Sequence, residues 1–390
     1  MSKTILLSEP YLFGNENKYI KKCIETGWVS SAGSFVNKFE KSISKYTGSK
    51  YAIACINGTS ALHISLILAG VKKNDEVIVP TLTFVATINV VKYCNAFPIF
   101  IDCNKNYCLD LIKTKEFLLN NTYKKNGFSF NNKNNKKISA IIIAHVLGRH
   151  ECLDELIKIC KRKNIKIIED AAESLGCFFS SGAFNKSHVG TVGDLGCLSF
   201  NGNKIITTGG GGMILTNNLK IAKRAKYLVT QSKNDSVFYV HNEIGYNYRL
   251  TNIQAAMGCA QLEQINKILK LKKQIYLYYT ELITNKMNFE FSYLPDKIIS
   301  NYWLNLIILK KNYGHKCIQN LVSNMQSHKI QIRPLWKLNH KQINNKIFER
   351  YKIKNAINLE ARCVCLPSSP NLIFTDIKRI VKLLNYYINK

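Results

Sequence analysis

Seven short apolar runs of strand length recur along this chain, and the stretches between them space their apolar residues at helical intervals. The runs are "YAIACI" (51–56), "EVIVP" (76–80), "FPIFID" (97–102), "AIIIAHV" (140–146), "IKIIED" (165–170), "GCLSF" (196–200) and "GMILTN" (212–217). A half-exposed strand alternates apolar and polar residues, so runs this continuous suit strands covered on both faces, as in parallel sheets. Between them, "SALHISLILAGV" (60–71) and "LDELIKICKRKN" (153–164) carry helical spacing, the first ending near Gly70. Strand and helix alternating over this length predict an open α/β fold with a mostly parallel, seven-stranded sheet.

After residue 250 the texture changes. A long helical pattern fills 250–283, and mixed short strands and helices follow. At 390 residues the chain has room for about two domains. The expected division is a large domain over 1–250, then a linking helix and a small α+β domain over 251–390. The Asn- and Lys-rich stretch "NNTYKKNGFSFNNKNNKK" (120–137) reads as a surface insertion rather than a hinge.

Composition closes off several classes. With 46% hydrophobic and 11% aromatic residues, a mainly disordered chain is excluded. The first twenty residues lack the apolar core of a signal peptide, and no stretch reaches about 18 uninterrupted apolar residues, so no membrane partner is expected. The 13 cysteines include no C-x-x-C pair, which fits neither a disulfide framework nor a zinc ribbon. The expectation is a soluble cytoplasmic protein with free thiols and no metal. A formal charge of +30 ordinarily suggests nucleic acid, but the lysines are spread along the whole chain and accompany no nucleic-acid-binding motif. No nucleic-acid partner is expected, whereas a phosphorylated small molecule suits the field.

In open α/β sheets, ligands collect at the carboxyl ends of the strands. The polar residues placed there are Asn57 to Ser60, Thr81 to Thr83, His145, Asp170, Ser199 and, a little further on, Lys204. In "FNGNKIITTGGGG" (200–212), Lys204 stands between small polar residues and four glycines. A lysine that condenses with a carbonyl compound needs its amine near the ligand and partly desolvated, with small neighbours that leave room. A pyridoxal phosphate site needs three further things: an acid for the ring nitrogen, donors for the phosphate and a flat apolar surface. Asp170 ends an apolar run, where a buried carboxylate needs a cationic partner. The turn "NGTSA" (57–61) enters a helix whose first N–H groups can cradle a phosphate. Phe84 can stack on a ring, and Ser199 can add a phosphate contact. Each feature alone also has a plainer reading: a surface lysine, a helix-capping aspartate, a tight glycine turn.

Together the residues resemble the sugar aminotransferases of the DegT/StrS type, which are fold-type-I pyridoxal-phosphate enzymes. The likeness runs through "GWVSSAGSFVNKFE" (27–40), "NGTSALH" (57–63), "DEVIVPTLTFVAT" (75–87), "IIEDAAESLG" (167–176), "GDLGCLSFNGNKIITTGGGGM" (193–213), "GYNYRLTNIQAAMG" (245–258) and "RPLWKLNH" (333–340). The resemblance implies pyridoxal 5'-phosphate carried by Lys204, with Asp170 at its ring nitrogen, Glu173 near its ring hydroxyl and Phe84 on its face. It assigns the phosphate to Gly58, Thr59 and Ser199, and has Asn247 reach the phosphate held by the other subunit of a homodimer with shared sites. Glutamate is the implied amino donor and a nucleotide-linked keto-sugar the acceptor. Trp28, Ser30, Ser31, Arg333 and His340 match segments that line the sugar-nucleotide side, and His145 follows a strand toward the site. Arg249 reads as a phosphate contact or a structural ion pair, and Trp28 and Trp336 as contact or packing. Where many members have "GEGG", this chain has "GGGG", similar to the branch that aminates the 4-keto carbon of a UDP-linked 2-acetamido-2,6-dideoxy sugar. Products of that branch feed legionaminic acid or bacillosamine in bacterial surface glycans. The alternative is a GDP- or dTDP-linked 3- or 4-keto-sugar, as in perosamine synthesis. Members with histidine at the lysine position are dehydratases, a reading that Lys204 opposes.

Overall fold

Each of the seven apolar runs forms a strand of one sheet. They are β1 (Tyr51–Cys55), β2 (Glu76–Pro80), β3 (Phe97–Ile101) and, after a hairpin of β4 (Thr122–Lys125) and β5 (Phe128–Asn131), β6 (Ile138–Ala144) and β7 (Lys166–Asp170). The short β8 (Phe178–Phe179) precedes β9 (Leu195–Ser199) and β10 (Gly212–Thr216). The computed structural model describes residues 4–235, 237–295, 298–311 and 314–389. The seven strands lie in the order β1-β10-β9-β7-β6-β2-β3, with β10 antiparallel to both neighbours and every other pair parallel.

The alternation of side chains explains why these runs are apolar throughout. Along β2, Ile78 packs into one core with Ile141 and Leu198. Val77 and Val79 enter the core on the opposite face with Ile142 and Ile168. Burying an isoleucine- or valine-sized side chain is worth about 1.5–3 kcal/mol, so both faces hold their helical layers firmly.

The later chain contributes β11 (Phe289–Phe291), β12 (Ile298–Ile299), β13 (Asn305–Leu309), β14 (Arg333–Pro334), β15 (Arg350–Tyr351) and β16 (Cys363–Leu366). Four of these form a second sheet, β11-β13-β16-β14, over a third core that includes Tyr279, Phe289, Ile307, Val364 and Ile377. β12 pairs with β8, and β15 adds itself in parallel to the outer edge of β3. The main sheet therefore has eight strands rather than the seven expected. Two residues, one of them a charged arginine, leave no apolar run to read, because β15 is held by backbone pairing such as Phe100 N–H to Glu349 O (2.9 Å).

The helical pattern at 250–283 is two helices, Asn252–Glu263 and Ile265–Leu282. A capping box of Thr251 and Gln254 starts the first, and Gln264, at φ −97° and ψ 0°, separates them. The insertion at 120–137 has a structural task. Its Asn131 amide donates to Glu76 Oε2 (2.9 Å) and Glu349 Oε2 (2.8 Å), and the Asn134 amide donates to Glu76 Oε1 (2.6 Å). Burial pushes the Glu76 carboxyl up, and these two amides oppose that shift. All 13 cysteines are free. Among the described residues no helix is long and apolar enough to cross a membrane, and no cluster of His, Cys, Asp or Glu could hold a metal.

Candidate functional site

A cavity of about 380 Å³ opens at the carboxyl ends of β1, β2, β6, β7 and β9. Its lining includes the expected Gly58, Thr59, Phe84, His145, Asp170, Glu173, Ser199 and Lys204, together with Asn57, Thr83 and Trp336.

Asp170 closes β7 with its side chain buried. It accepts hydrogen bonds from Thr87 Oγ1 (2.7 Å) and Ala172 N–H (3.2 Å). Burial pushes its carboxyl up, and these donors, with the charge of nearby Lys204, only partly offset that. A carboxylate in this position calls for a further cationic donor from the cavity. Its chain neighbour Glu169 faces the other way and is fully engaged. It accepts from Gly190 N–H (2.9 Å), Val192 N–H (2.8 Å) and Gly193 N–H (2.7 Å), and lies 2.9 Å from His145 Nε2. Burial favours its neutral form, but the His145 hydrogen bond and the backbone donors outweigh it and hold the carboxyl below the usual range. His145 is thereby fixed at the cavity wall.

Lys204 Nζ lies 3.1 Å from Glu173 Oε1. Burial raises the Glu173 carboxyl, with the Lys204 charge opposing. The other carboxylate oxygen accepts from Leu147 N–H at 2.7 Å. Leu147 presents that donor from the left-handed region (φ 60°), a strain of about 1–2 kcal/mol for a side-chain-bearing residue. Lys204 sits in a closed loop: its own N–H donates to Asn201 O (3.0 Å), and Phe200 N–H donates to Gly211 O (2.8 Å). The glycine run serves that closure. A Cβ on Gly212 would stand 2.4 Å from Asn57 O, and one on Gly211 would stand 2.2 Å from Thr208 Oγ1.

The turn after β1 leads directly into helix Gly58–Leu68, capped by Asn57 Oδ1, which accepts from Ser60 N–H (2.7 Å). A Cβ on Gly58 would come within 2.9 Å of Ser199 Cβ. Glycine there keeps the first N–H groups of the helix and the Ser199 hydroxyl at one end of the cavity, which is a cradle for an anion. Phe84 is 54% exposed at the mouth, edge-on to Trp336 with ring centroids 6.4 Å apart. An amine, a buried acid short of a cation and an anion cradle fit a ligand bearing an aldehyde, a basic ring nitrogen and a phosphate.

Other expected residues stand elsewhere. Trp28, Ser30, Ser31 and Arg249 form a separate group. The Asn252 side-chain amide donates to Trp28 O (2.6 Å), Asn252 N–H donates to Ser30 O (2.7 Å), and Arg249 Nη2 donates to Ser31 O (2.7 Å). Asn247 is exposed and bridges Thr230, and Arg333 is exposed on β14. His340, expected to contact substrate, is buried outside the cavity lining, with Nδ1 2.6 Å from Thr81 Oγ1 and its ring 6.5 Å from that of Phe100. A strand-end hydroxyl holds it in the packing. Sequence reasoning missed Thr87, Leu147 and Trp303. Thr87 lies within the quoted "DEVIVPTLTFVAT", whereas Leu147 and Trp303 act through a backbone angle and a long-range approach that no local pattern carries.

Sheet and cavity together define an enzyme of the α/β class that works through a carbonyl cofactor. The family model for DegT/DnrJ/EryC1/StrS aminotransferases matches residues 11–385. EpsN of Bacillus subtilis, whose name assigns it provisionally to the pyridoxal phosphate-dependent aminotransferases, is 33% identical, covering 98% of this chain and 96% of EpsN. The GDP-perosamine synthase of Vibrio cholerae is also 33% identical, covering 98% of each chain. Among solved structures, a DegT/DnrJ/EryC1/StrS aminotransferase from Brucella abortus superposes with a TM-score of 0.84 at 25% identity, over 96% of each chain. The chain belongs to the DegT/DnrJ/EryC1/StrS aminotransferase family. It is a sugar aminotransferase of fold type I that depends on pyridoxal phosphate.

Proposed function

We propose that the protein moves an amino group from glutamate to the 4-keto carbon of a nucleotide-linked 6-deoxy sugar, with Lys204 as the residue that carries the cofactor and transfers the proton. The observation that carries this reading is the placement of the Lys204 amine against Glu173, in the same cavity as a buried Asp170 whose carboxyl forms no ion pair among the described residues and is raised by burial. When bound, pyridoxal phosphate supplies an aldehyde that takes up the amino group and a ring that spreads the charge left on carbon. The chain's own residues do the rest. Lys204 Nζ moves a proton off the donor's α-carbon and, in the second half-reaction, delivers one to the sugar carbon. Asp170, oriented by Thr87 and Ala172, holds the proton on the ring nitrogen. Gly58, Thr59 and Ser199 bind the phosphate. Phe84 covers the ring and keeps water from its face, and Glu173 orients the amine and the ring hydroxyl.

The remaining assignments belong to the same reading. Asn247 reaches a second copy's phosphate in a homodimer, supported by the exposed Val237, Phe238, Tyr239, Val240 and Ile244 on the same stretch. Ser30, Ser31 and Arg333 serve the sugar-nucleotide side, Trp28 by contact or packing, and Arg249 as a phosphate contact or a structural ion pair. The large domain over 1–250 and the small one over 251–390 are supported by the second sheet of the later chain and by a third core that, apart from Ile5, is drawn from residues 275–384. Thirteen free thiols suit a reducing, cytoplasmic setting.

Two nucleotides have support. The "GGGG" segment favours a UDP-linked 2-acetamido sugar of the legionaminic or bacillosamine kind, and the 33% identity to a GDP-perosamine synthase favours a GDP-linked one. The purified protein, mixed with glutamate and UDP-, GDP- and dTDP-linked 4-keto-6-deoxy sugars, is expected to add nitrogen to one of them, read as a mass change. The nucleotide that reacts selects between the two readings, and no amination of any would overturn the proposal.

A further inference from the structure

Lys204 is gripped from a side that the proposed chemistry does not use. Its Nζ lies over the Trp303 ring, 4.1 Å from the centroid, in addition to its contact with Glu173. Trp303 is almost fully buried, and its Nε1–H donates to Asn203 O at 2.7 Å, the carbonyl one residue before Lys204. One aromatic side chain thus touches both ends of the lysine, its backbone approach and its amine.

The backbone of Trp303 is fixed as firmly as its ring. Its N–H donates to Asn301 Oδ1 (3.0 Å), and the Asn301 amide donates in turn to Glu173 O (2.8 Å) and Leu175 O (3.0 Å). Tyr302, between them, holds a left-handed φ of 53°. The Trp303 carbonyl accepts from Lys272 Nζ at 2.8 Å, and the same amine donates to Ser368 O at 2.7 Å. Lys272 lies on helix Ile265–Leu282, is 2% exposed, and pairs with no carboxylate among the described residues. Burial lowers its amine to about 7. Protonated or neutral, it has two N–H bonds to give, and the two carbonyls take them.

We propose that Trp303 is a positioning residue that holds the Lys204 amine for reaction, and that Lys272 anchors Trp303 from the helix behind it. A lysine amine ends a flexible four-carbon stem, so a carboxylate on one side leaves it free to swing. The indole face supplies a second contact, and a desolvated cation–π contact is strong enough to bias that swing. Apolar packing alone would explain a buried tryptophan, but not a ring seated under this amine with its N–H spent on the preceding carbonyl. Nor would it explain a buried lysine amine that ties the Trp303 carbonyl to that of Ser368.

The proposal rests on Lys204 as the cofactor-bearing amine, and the test separates the two. The cofactor-free protein is mixed with pyridoxal phosphate, and the rate of capture is read from the visible absorbance and from the borohydride-trapped peptide mass. Label on a peptide other than that of Lys204 in the unaltered protein would overturn the underlying reading. Given label on Lys204, Trp303→Leu is expected to slow capture and lower kcat about tenfold, with KM for glutamate unchanged. Trp303→Phe, which keeps the face and loses the N–H, is expected to recover most of that loss. Lys272→Met is expected to behave as Trp303→Leu does. Circular dichroism and melting curves confirm that each variant is folded, and should Lys272→Met fail to fold, the two Trp303 variants decide alone. Capture by Trp303→Leu at the unaltered rate, or no difference between the Leu and Phe variants, would overturn the proposal.

Discussion

Two buried aspartates follow strands of the same sheet, and their surroundings differ sharply. Asp102, just past β3, accepts from Lys113 Nζ (2.6 Å) and from the backbone N–H groups of Cys103, Lys354, Asn355 and Ala356. Burial favours its neutral form, yet the Lys113 hydrogen bond and the backbone donors outweigh burial and hold its carboxyl below the usual range. Asp170, at the end of β7, has two donors and a raised carboxyl. The first is saturated and ties residues 354–356 to the sheet. The second is left short on the side that faces the cavity. A folded chain has reason to saturate an acid that only holds structure, so a shortfall beside Lys204 marks the acid kept for a ligand.

The largest test of that contrast is at the amine itself. Lys204→Ala is expected to lower turnover by about 10⁴-fold or more in the folded protein, since it removes the proton carrier. Asp170→Asn comes next. It is expected to lower kcat by about 10²–10³-fold, yet fold with undiminished stability, because a neutral amide relieves the burial of a charge. The matched change, Asp102→Asn, reverses the pattern. A loss of about 2–4 kcal/mol in chemical denaturation is expected, with kcat of the folded fraction close to normal. Should both variants lose only stability, the distinction between the two acids would collapse.

Buried bases sharpen the same point through pH. His150 and His188 are both lowered to about 4 by burial. In the unfolded chain each takes up a proton near the ordinary 6.5. Between those values the unfolded state binds more protons than the folded one. Stability is therefore full above about pH 6.5 and falls as pH drops toward 4, by up to about 3 kcal/mol per histidine. Melting temperatures across pH 4–8 check the sign, and His150→Leu is expected to flatten the slope. The smallest effect lies at the opposite end of the sheet. Asn131→Ala strips a donor from Glu76 and Glu349, with an expected loss of about 1–2 kcal/mol and no change in kcat.

The seven long strands were legible because both of their faces are buried, which writes continuous apolar runs into the sequence. β15 was not, because backbone pairing leaves no mark on side-chain composition. The break at Gln264 was hidden for a related reason, since apolar spacing runs through it and only one residue's dihedral angles depart. Within the site, Lys204, Asp170, Ser199 and Gly58 were readable as polar or small residues at strand ends. Trp303 was not, because it reaches the cavity from a segment about a hundred residues beyond Lys204. The burial of His340 against Thr81 was not legible either, because an aromatic base in a motif looks the same whether it meets a ligand or a buried threonine.

The stitch at Arg350–Tyr351 sets a limit on how this protein can be cut and recombined. A piece ending near residue 250 would expose the outer border of β3, with the Phe100 amide unclaimed, and a bare border of that kind recruits strands from neighbouring molecules. Chimaeras that exchange the final third for that of a relative must bring the residues around 350 with them, or they inherit a sticky edge.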